Sequence, residues 1–399
     1  MKKKNLLKFF SSSVVFIFIL ANGIFFSARV VAAAPPPPGY FHTRKIDSSV
    51  GNGPTLANSD NFGRSVTDIG DLNGDGVDDI AVGAPLDDTG GTNDGAVYIH
   101  FMDQYGNVIS TTKIDSATTN GPALHTGDEF GFSVASIPDF DNNGSRDLIV
   151  GAPFDDNGGA TNTINKGAIY VLQMNSDGSV SQTTKIDSTS PGGPTLSNGD
   201  EYGYSIAPIH NDPNGFPTIL VGAPFDDANG ANQGVVYIEQ FAYNGTTNTL
   251  SFSSNDRIDG SNGPTLHNND NFGAALANIG DIDGDGVPDF AIGAPMDDTG
   301  GTNRGAVYID LTTLGRAQMI KIDSLTANGP ALNNGDMYGS SIAGAGYYNN
   351  DAIPDIAVGA PMDDTNGTNR GAIYISTLNA DGTAASTPPS IVQQTEVHR

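Results

Sequence analysis

Short apolar runs of five to eight residues, each closed by glycine, asparagine or aspartate, recur along the chain from about residue 40 onward. Asp79-Ile-Ala-Val-Gly-Ala84 and Ala96-Val-Tyr-Ile99 are typical. They are too short for helices and rich in β-branched and aromatic residues, so the pattern predicts strands joined by tight turns. Aligning the chain on Gly-Ala-Pro places its glycine at 83, 151, 222, 293 and 359, at intervals of 68, 71, 71 and 66. The chain is therefore a series of five units.

Each unit follows one plan. A Lys/Arg-Ile-Asp strand end (Lys45, Lys113, Lys185, Arg257, Lys321) leads into a Gly-Pro-Thr/Ala-Leu loop, and a strand opening on Phe/Tyr-Gly follows at Phe62, Phe130, Tyr202, Phe272 and Tyr338. An Asp-rich loop, a second strand ending in Gly-Ala-Pro, an Asp-Asp-Thr-Gly-Gly-like loop, a Gly-Ala-Val-Tyr-Ile strand and a fourth strand complete it. A blade of four antiparallel strands cannot bury both its faces alone, so radial stacking about an axis is the economical packing. The fold expected is all-β, a β-propeller of five four-stranded antiparallel blades. Tyr40–Ile46 matches a fourth strand with no first three before it, and is expected to complete the last blade and close the ring. The segment from Thr383 is a rival for that slot, but Pro388 and Pro389 suit an exposed tail better than a paired strand.

Composition sharpens this picture. Glycine supplies 51 of 399 residues and tryptophan none. Residues 1–33 have the form of a signal peptide: Lys2, Lys3, Lys4 and Lys8 precede the apolar run Val14–Phe26, and small residues follow at Ala32 and Ala33. The run is shorter than the roughly 20 residues a spanning helix needs, so cleavage is favoured over retention as an anchor, with no membrane insertion afterwards. Residues 34–39 form a Pro-rich linker, 40–382 the propeller and 383–399 a polar C-terminal tail. Net charge is −27, and the leader holds five basic residues and no acid, so the remainder carries −32 and nucleic acid is a poor partner. Only four acids are glutamates (129, 201, 239, 396) against 41 aspartates, a bias that suits turns and hard cations. There is no cysteine, so a secreted chain of this kind must be held by its core, by ring closure or by bound metal.

The metal candidates lie between the first and second strands. In the first unit Asp71, Asn73, Asp75 and Asp79 stand at loop positions 1, 3, 5 and 9, glycine stands at position 6, and the carbonyl of Val77 at position 7 supplies a further oxygen. That is a Ca2+-loop spacing, without the flanking helices or the position-12 glutamate of an EF-hand. The fourth unit repeats it with Asp281, Asp283, Asp285, Val287 and Asp289, and the second with Asp139, Asp141, Asn143, Ser145 and Asp147. The fifth keeps Asn349, Asp351 and Asp355 but has Tyr347 at position 1, which weakens it; the third, with prolines 213 and 217, is expected to bind no ion. The pairs Asp87-Asp88, Asp155-Asp156, Asp226-Asp227, Asp297-Asp298 and Asp363-Asp364 lack the alternating oxygens and are taken as turns.

Phe-Gly, Asp-x-Asn-Gly-Asp-Gly and Gly-Ala-Pro in this order resemble the FG-GAP repeats of the integrin α-subunit propeller and of prokaryotic surface proteins. The resemblance implies structural calcium on one face at the residues named above, about three sites with a weaker fourth. It differs in blade number, since integrin α propellers have seven. In an antiparallel four-stranded blade the Asp loops lie at the end opposite the Gly-Pro-Thr-Leu and Asp-Asp-Thr-Gly-Gly loops, so an extracellular protein or glycan ligand is expected on that opposite face. The expected function is a secreted or cell-surface calcium-binding adhesion or ligand-binding module, not an enzyme. The alternatives are a self-assembling structural component of the cell envelope and a carboxylate-dependent hydrolase. The six histidines form no metal-ligand spacing, and the Gly-Phe-Ser and Gly-Tyr-Ser tripeptides at 131–133 and 203–205 precede strands rather than the helix that a nucleophile elbow needs.

Overall fold

The computed structural model describes residues 43–386 apart from 140, 157–163, 212–216, 245–248, 312–318, 350 and 366. The chain divides into two units, Met1–Arg44 and Lys45–Arg399, and almost all described residues belong to the second. Among the described residues there are nineteen strands and no helix.

The strands form five consecutive antiparallel sheets, each in simple sequence order. Blade 1 is β1 (Ser65–Gly70), β2 (Asp79–Ala84), β3 (Ala96–Met102) and β4 (Val108–Ile114). Blade 2 is β5 (Ser133–Ile137), β6 (Asp147–Ala152), β7 (Ala168–Met174) and β8 (Val180–Ile186). Blade 3 is β9 (Ser205–Asn211), β10 (Pro217–Ala223), β11 (Val235–Asn244) and β12 (Thr249–Ile258). Blade 4 is β13 (Ala275–Gly280), β14 (Asp289–Ala294), β15 (Ala306–Asp310) and β16 (Ile320–Ile322). Blade 5 holds β17 (Ser341–Gly346), β18 (Asp355–Ala360) and β19 (Ala372–Ser376). The molecule is a five-bladed β-propeller. In blades 2, 3 and 4 the second and third strands are apolar on both faces, because each face meets a neighbouring blade; β6 and β7 are buried throughout.

The first strands β1, β5, β9, β13 and β17 neighbour one another in turn. Each of β1, β13 and β17 ends in an irregular step at a glycine of positive φ, Gly70 (68°), Gly280 (83°) and Gly346 (64°), which breaks the ladder and releases the chain into the Asp loop.

One device repeats at the junctions 1–2, 2–3, 3–4 and 4–5. The aromatic of Phe/Tyr-Gly lies against the glycine that opens the preceding blade's third strand, as Phe130 does on Gly95, Tyr202 on Gly167 and Tyr338 on Gly305. The following glycine rests on the Gly-Ala-Pro glycine, where a methyl group would overlap its carbonyl: Gly83 on Gly131, Gly151 on Gly203, Gly222 on Gly273 and Gly293 on Gly339. Ser65, Ser133 and Ser205 donate hydroxyl hydrogen bonds to the carbonyls of Gly131, Gly203 and Gly273 at 2.8, 2.7 and 2.6 Å. Four apolar clusters each span two successive blades.

The end of blade 5 differs from the expectation. After β19 the chain turns as blades 1 and 2 do: Asn379 N–H donates to the Thr383 carbonyl at 2.9 Å, as Asp103 does to Asn107 and Asn175 to Ser179. Leu378 then bridges Ala384, and Ala385 N–H donates to the Thr377 carbonyl at 2.7 Å. The fourth-strand slot therefore begins within the segment read as tail, because its prolines come only at 388 and 389, beyond the described residues. Residues 40–42 of the expected closing strand also lie outside the described residues, and Thr43–Ile46 belong to no strand.

The Asp-Asp turns carry more than turn chemistry. Asp87 accepts the Thr89 N–H of its turn at 2.9 Å, but it is also buried, with the Tyr98 hydroxyl at 2.8 Å and the Lys113 ammonium at 2.7 Å. Asp155 with Tyr170 and Lys185 repeats this, as does Asp297 with Tyr308 and Lys321. Lys185 neutralises Asp155 and Asp187, yet a further buried aspartate, Asp128, stands close enough to feel Asp155. Burial above all, with that like charge adding, pushes Asp128 up to about 7; Asp200 likewise reaches about 7 beside Asp226, and Asp270 about 6 beside Asp297. Unfolded aspartate titrates near 3.9, so between about pH 4 and 7 the folded chain holds protons that the unfolded chain has released. By linkage, stability falls as pH rises through that window. In calcium-free buffer the unfolding midpoint is expected to be higher at pH 5 than at pH 8, with a flatter dependence in Asp128→Asn; a midpoint that climbs toward pH 8 contradicts this.

Candidate functional site: the Asp loops and the axial pocket

In the Asp loops of blades 1, 2 and 4 the side chains at positions 1, 3 and 5 fold back onto the loop's own N–H groups. Asp71 accepts from Asp75 and Gly76 at 2.9 and 2.8 Å, Asn73 from Asp75 at 2.8 Å, and Asp75 from Val77 at 2.9 Å. Asp281 accepts from Asp285 and Gly286 at 3.1 and 3.0 Å, Asp283 from Asp285 at 3.1 Å, and Asp285 from Val287 at 2.7 Å. In blade 2, Asp139 accepts from Asn143 and Gly144 at 3.2 and 2.7 Å, Asp141 from Asn143 at 3.1 Å, and Asn143 from Ser145 at 2.8 Å. In these three loops the backbone bonds hold the side chains at positions 1, 3 and 5 on the inside of the loop.

Two groups converge closely: Asp139, Asp141 and Asp147, and Asp281, Asp283 and Asp285, each with carboxylate oxygens within 4.8 Å of one another. Loop 1 has the same ladder with an amide at position 3 and carboxylates at positions 1, 5 and 9. Loop 5 keeps the bonds from Asp351 to Asn349 (3.1 Å) and from Ile353 to Asp351 (2.9 Å), while Tyr347 at position 1 is exposed. Loop 3 lies largely outside the described residues. An oxygen-only set with no soft donor suits a hard divalent cation.

Position 9 has a second role that spacing alone did not reveal. Asp79, Asp147, Asp289 and Asp355 are fully buried at the head of the second strand. Asp79 accepts the Met102 N–H at 2.9 Å and the Leu72 N–H at 3.2 Å; Asp147 accepts from Met174 at 2.9 Å and Asp355 from Leu378 at 3.0 Å. The residue thus ties the loop to the end of the third strand. Burial pushes Asp79 above its usual range, and it pushes Asp289 up to about 6 with Asp283 and Asp285 adding like charge. Among the described residues Asp289 Oδ1, which is buried, has no hydrogen-bond partner. Asp141 is raised by burial and by neighbouring Asp139. Carboxylates crowded to this degree call for a counter-charge.

At the opposite end of the first strands, the opening residues of β1, β5, β9, β13 and β17 surround an axial pocket of about 500 Å³. Here near-identical repeats diverge. The residue after Phe/Tyr-Gly is Arg64, Phe132, Tyr204, Ala274 and Ser340 in the five blades. Phe132 lies 4.7 Å from Tyr204 and 5.9 Å from Phe154, Tyr204 lies 6.0 Å from Phe225, and the Arg64 guanidinium stands 4.0 Å over the Phe132 ring. Glu129 and Glu201 stand within electrostatic reach of this cluster, both pushed up to about 7 by burial, against the pull of Arg64 on Glu129 and with Glu129 raising Glu201. Blades 1 to 3 therefore build a one-sided aromatic and charged wall. Sequence reasoning passed over it, although one variable position among constant neighbours was a usable signal.

Comparison with known proteins bears on this geometry. The FG-GAP repeat family matches residues 62–100, 130–172 and 272–310. These spans run from Phe-Gly through the Asp loop and Gly-Ala-Pro to the third strand of blades 1, 2 and 4. The chain carries FG-GAP repeats. The matched FG-GAP repeats are the three whose Asp loops have position 1 as Asp and the full spacing. Integrin alpha-PS2 of Drosophila melanogaster is 30% identical over 258 residues, covering 62% of this chain and 16% of that protein. Integrin alpha-3 of Cricetulus griseus is 34% identical over 172 residues, covering 41% of this chain and 14% of that protein. The FG-GAP chain thus spans under a fifth of the length of either relative. Among solved structures, a thermostable family-43 glycoside hydrolase aligns over 82% of this chain and 95% of its own at a TM-score of 0.39 and 15% identity, too loose a likeness to bear on function.

Proposed function

We propose that this chain is a calcium-binding FG-GAP propeller of the cell exterior that acts as an adhesion or ligand-binding module, with a protein or glycan held on the face opposite the Asp loops. The supporting observation is the axial pocket: repeats that agree almost everywhere differ at its wall, where Arg64, Phe132 and Tyr204 gather on one side. A wall of aromatic faces with a guanidinium offers stacking and charge to a ligand, as concave sites with a few placed polar groups do. Calcium in this reading is structural, fixing the ends of the first two strands and so the spacing of that wall. The reading is of a binder and not of a catalyst. A second reading, a self-assembling component of the cell exterior, is favoured by one observation, the exposed apolar face of blade 5.

The test is a screen of the full chain in millimolar calcium against arrayed glycans and immobilised extracellular-matrix proteins. Binding is expected, and it should be lost in Arg64→Ala and Tyr204→Ser while the unfolding midpoint is kept. Absence of any ligand, or binding that neither substitution weakens, overturns the axial-pocket reading.

A further inference from the structure

Every internal junction buries the same two positions of the third strand. Val97, Ile169, Val236 and Val307 are fully buried, and so are Ile99, Val171 and Ile309. Their counterparts in blade 5, Ile373 and Ile375, are 76% and 42% exposed. The leading face of blade 1 mirrors this: Val66 is 64% exposed where Val134 in blade 2 is 9%, and Phe62 is half-buried where Phe130, Tyr202, Phe272 and Tyr338 are fully buried.

The glycine seats tell the same story. Gly95, Gly167, Gly234 and Gly305 each lie against the backbone of the next blade's aromatic, whereas the nearest atoms to Gly371 belong to Pro361 of its own blade. Gly359 likewise meets only Ser341, where its four counterparts meet the carbonyl of the next blade's glycine. A hollow of about 220 Å³, lined by Asp363, Arg370, Gly371, Ile373 and Tyr374, stands on this face. The molecule thus has an unfilled socket at one end and an unseated knob at the other, built of residues that mate four times within the chain.

The chain's own knob is held away from this socket. Phe62 does not occupy it: the atoms nearest Gly371 all belong to Pro361 of the same blade, where the four equivalent glycines each meet the next blade's aromatic. We propose that the free face of blade 5 binds blade 1 of a second copy of this chain, Phe62-Gly63 entering the Gly371 socket and Val66 closing over Ile373 and Ile375. Contiguous exposed apolar surface of this kind marks an interaction site. The contact is heterologous, since the two patches differ, so it propagates head to tail. The contact uses none of the Asp-loop residues, although Val66 also lines the axial pocket.

Sedimentation velocity of the full chain at increasing concentration tests this. The wild type should form a concentration-dependent series of oligomers. Val66→Arg, which blocks the knob, and Ile373→Arg, which blocks the socket, should each be monomeric. Their equimolar mixture should give dimers and nothing larger, because one intact socket meets one intact knob. Should either arginine unfold its blade, Phe62→Ser and Ile375→Ser carry the same crossed test. A wild type that stays monomeric, through closure on itself or a need for a different partner, overturns the proposal, as does a mixture that stays monomeric or a variant that still assembles.

Discussion

Gly222→Ala is expected to cost about 3 kcal/mol or more, while Gly359→Ala, at the same repeat position, is expected to cost less than about 1 kcal/mol of folding stability. A methyl group at Gly222 overlaps the Gly273 carbonyl and the Ser205 hydroxyl, and the carbonyl is backbone at the centre of the blade 3–4 junction. It cannot yield without shifting the inner strand β13. At Gly359 the only nearby group is the Ser341 hydroxyl, which rotates away. Neither glycine has positive φ, so the contrast is one of space and not of backbone strain. Urea unfolding of the two variants checks it; equal costs would mean that the two faces are equally covered, against the exposure of Ile373.

Adding calcium should raise stability by several kcal/mol. Extracellular calcium modules bind at roughly 0.1 to 1 mM. An ion that binds only the folded state at tenfold over its dissociation constant adds about 1.4 kcal/mol, so three loops add about 4 kcal/mol. Replacing Asp75 and Asp285 by alanine removes the position-5 carboxylate from loops 1 and 4 and should take away about two thirds of that gain. Thermal unfolding with and without calcium checks both. The blade 2 loop, whose three carboxylates lie within 4.8 Å of one another, should hold the remaining third.

The blade plan was legible in the sequence because it is local: each strand is short, each turn carries its glycine, and Gly-Ala-Pro recurs at a near-constant interval. The ladder of Asp71, Asn73 and Asp75 was legible for the same reason, since its partners lie within five residues. What escaped lies between distant segments. Asp79 looked like a ligand at position 9, but its carboxylate also grips Met102, 23 residues away across two strands. Asp87 looked like a turn residue, and half of its bonding is a turn; the other half comes from Tyr98 and Lys113. The recurrence of Lys-Ile-Asp and of Tyr in the third strand was the available sign that these residues meet. The proline argument against Thr383 failed because Ala384 and Ala385 already pair with Leu378 and Thr377, ahead of those prolines.

The central claim is that the Asp loops hold calcium, and counting bound ions tests it most directly. Equilibrium dialysis of the full chain against radioactive calcium, at physiological salt and neutral pH, should saturate at about three ions, with a weaker fourth from Asn349, Asp351 and Asp355. The Asp75→Ala and Asp285→Ala double variant should bind two fewer. A chain that binds no calcium, or a double variant that binds as much as the wild type, contradicts the account.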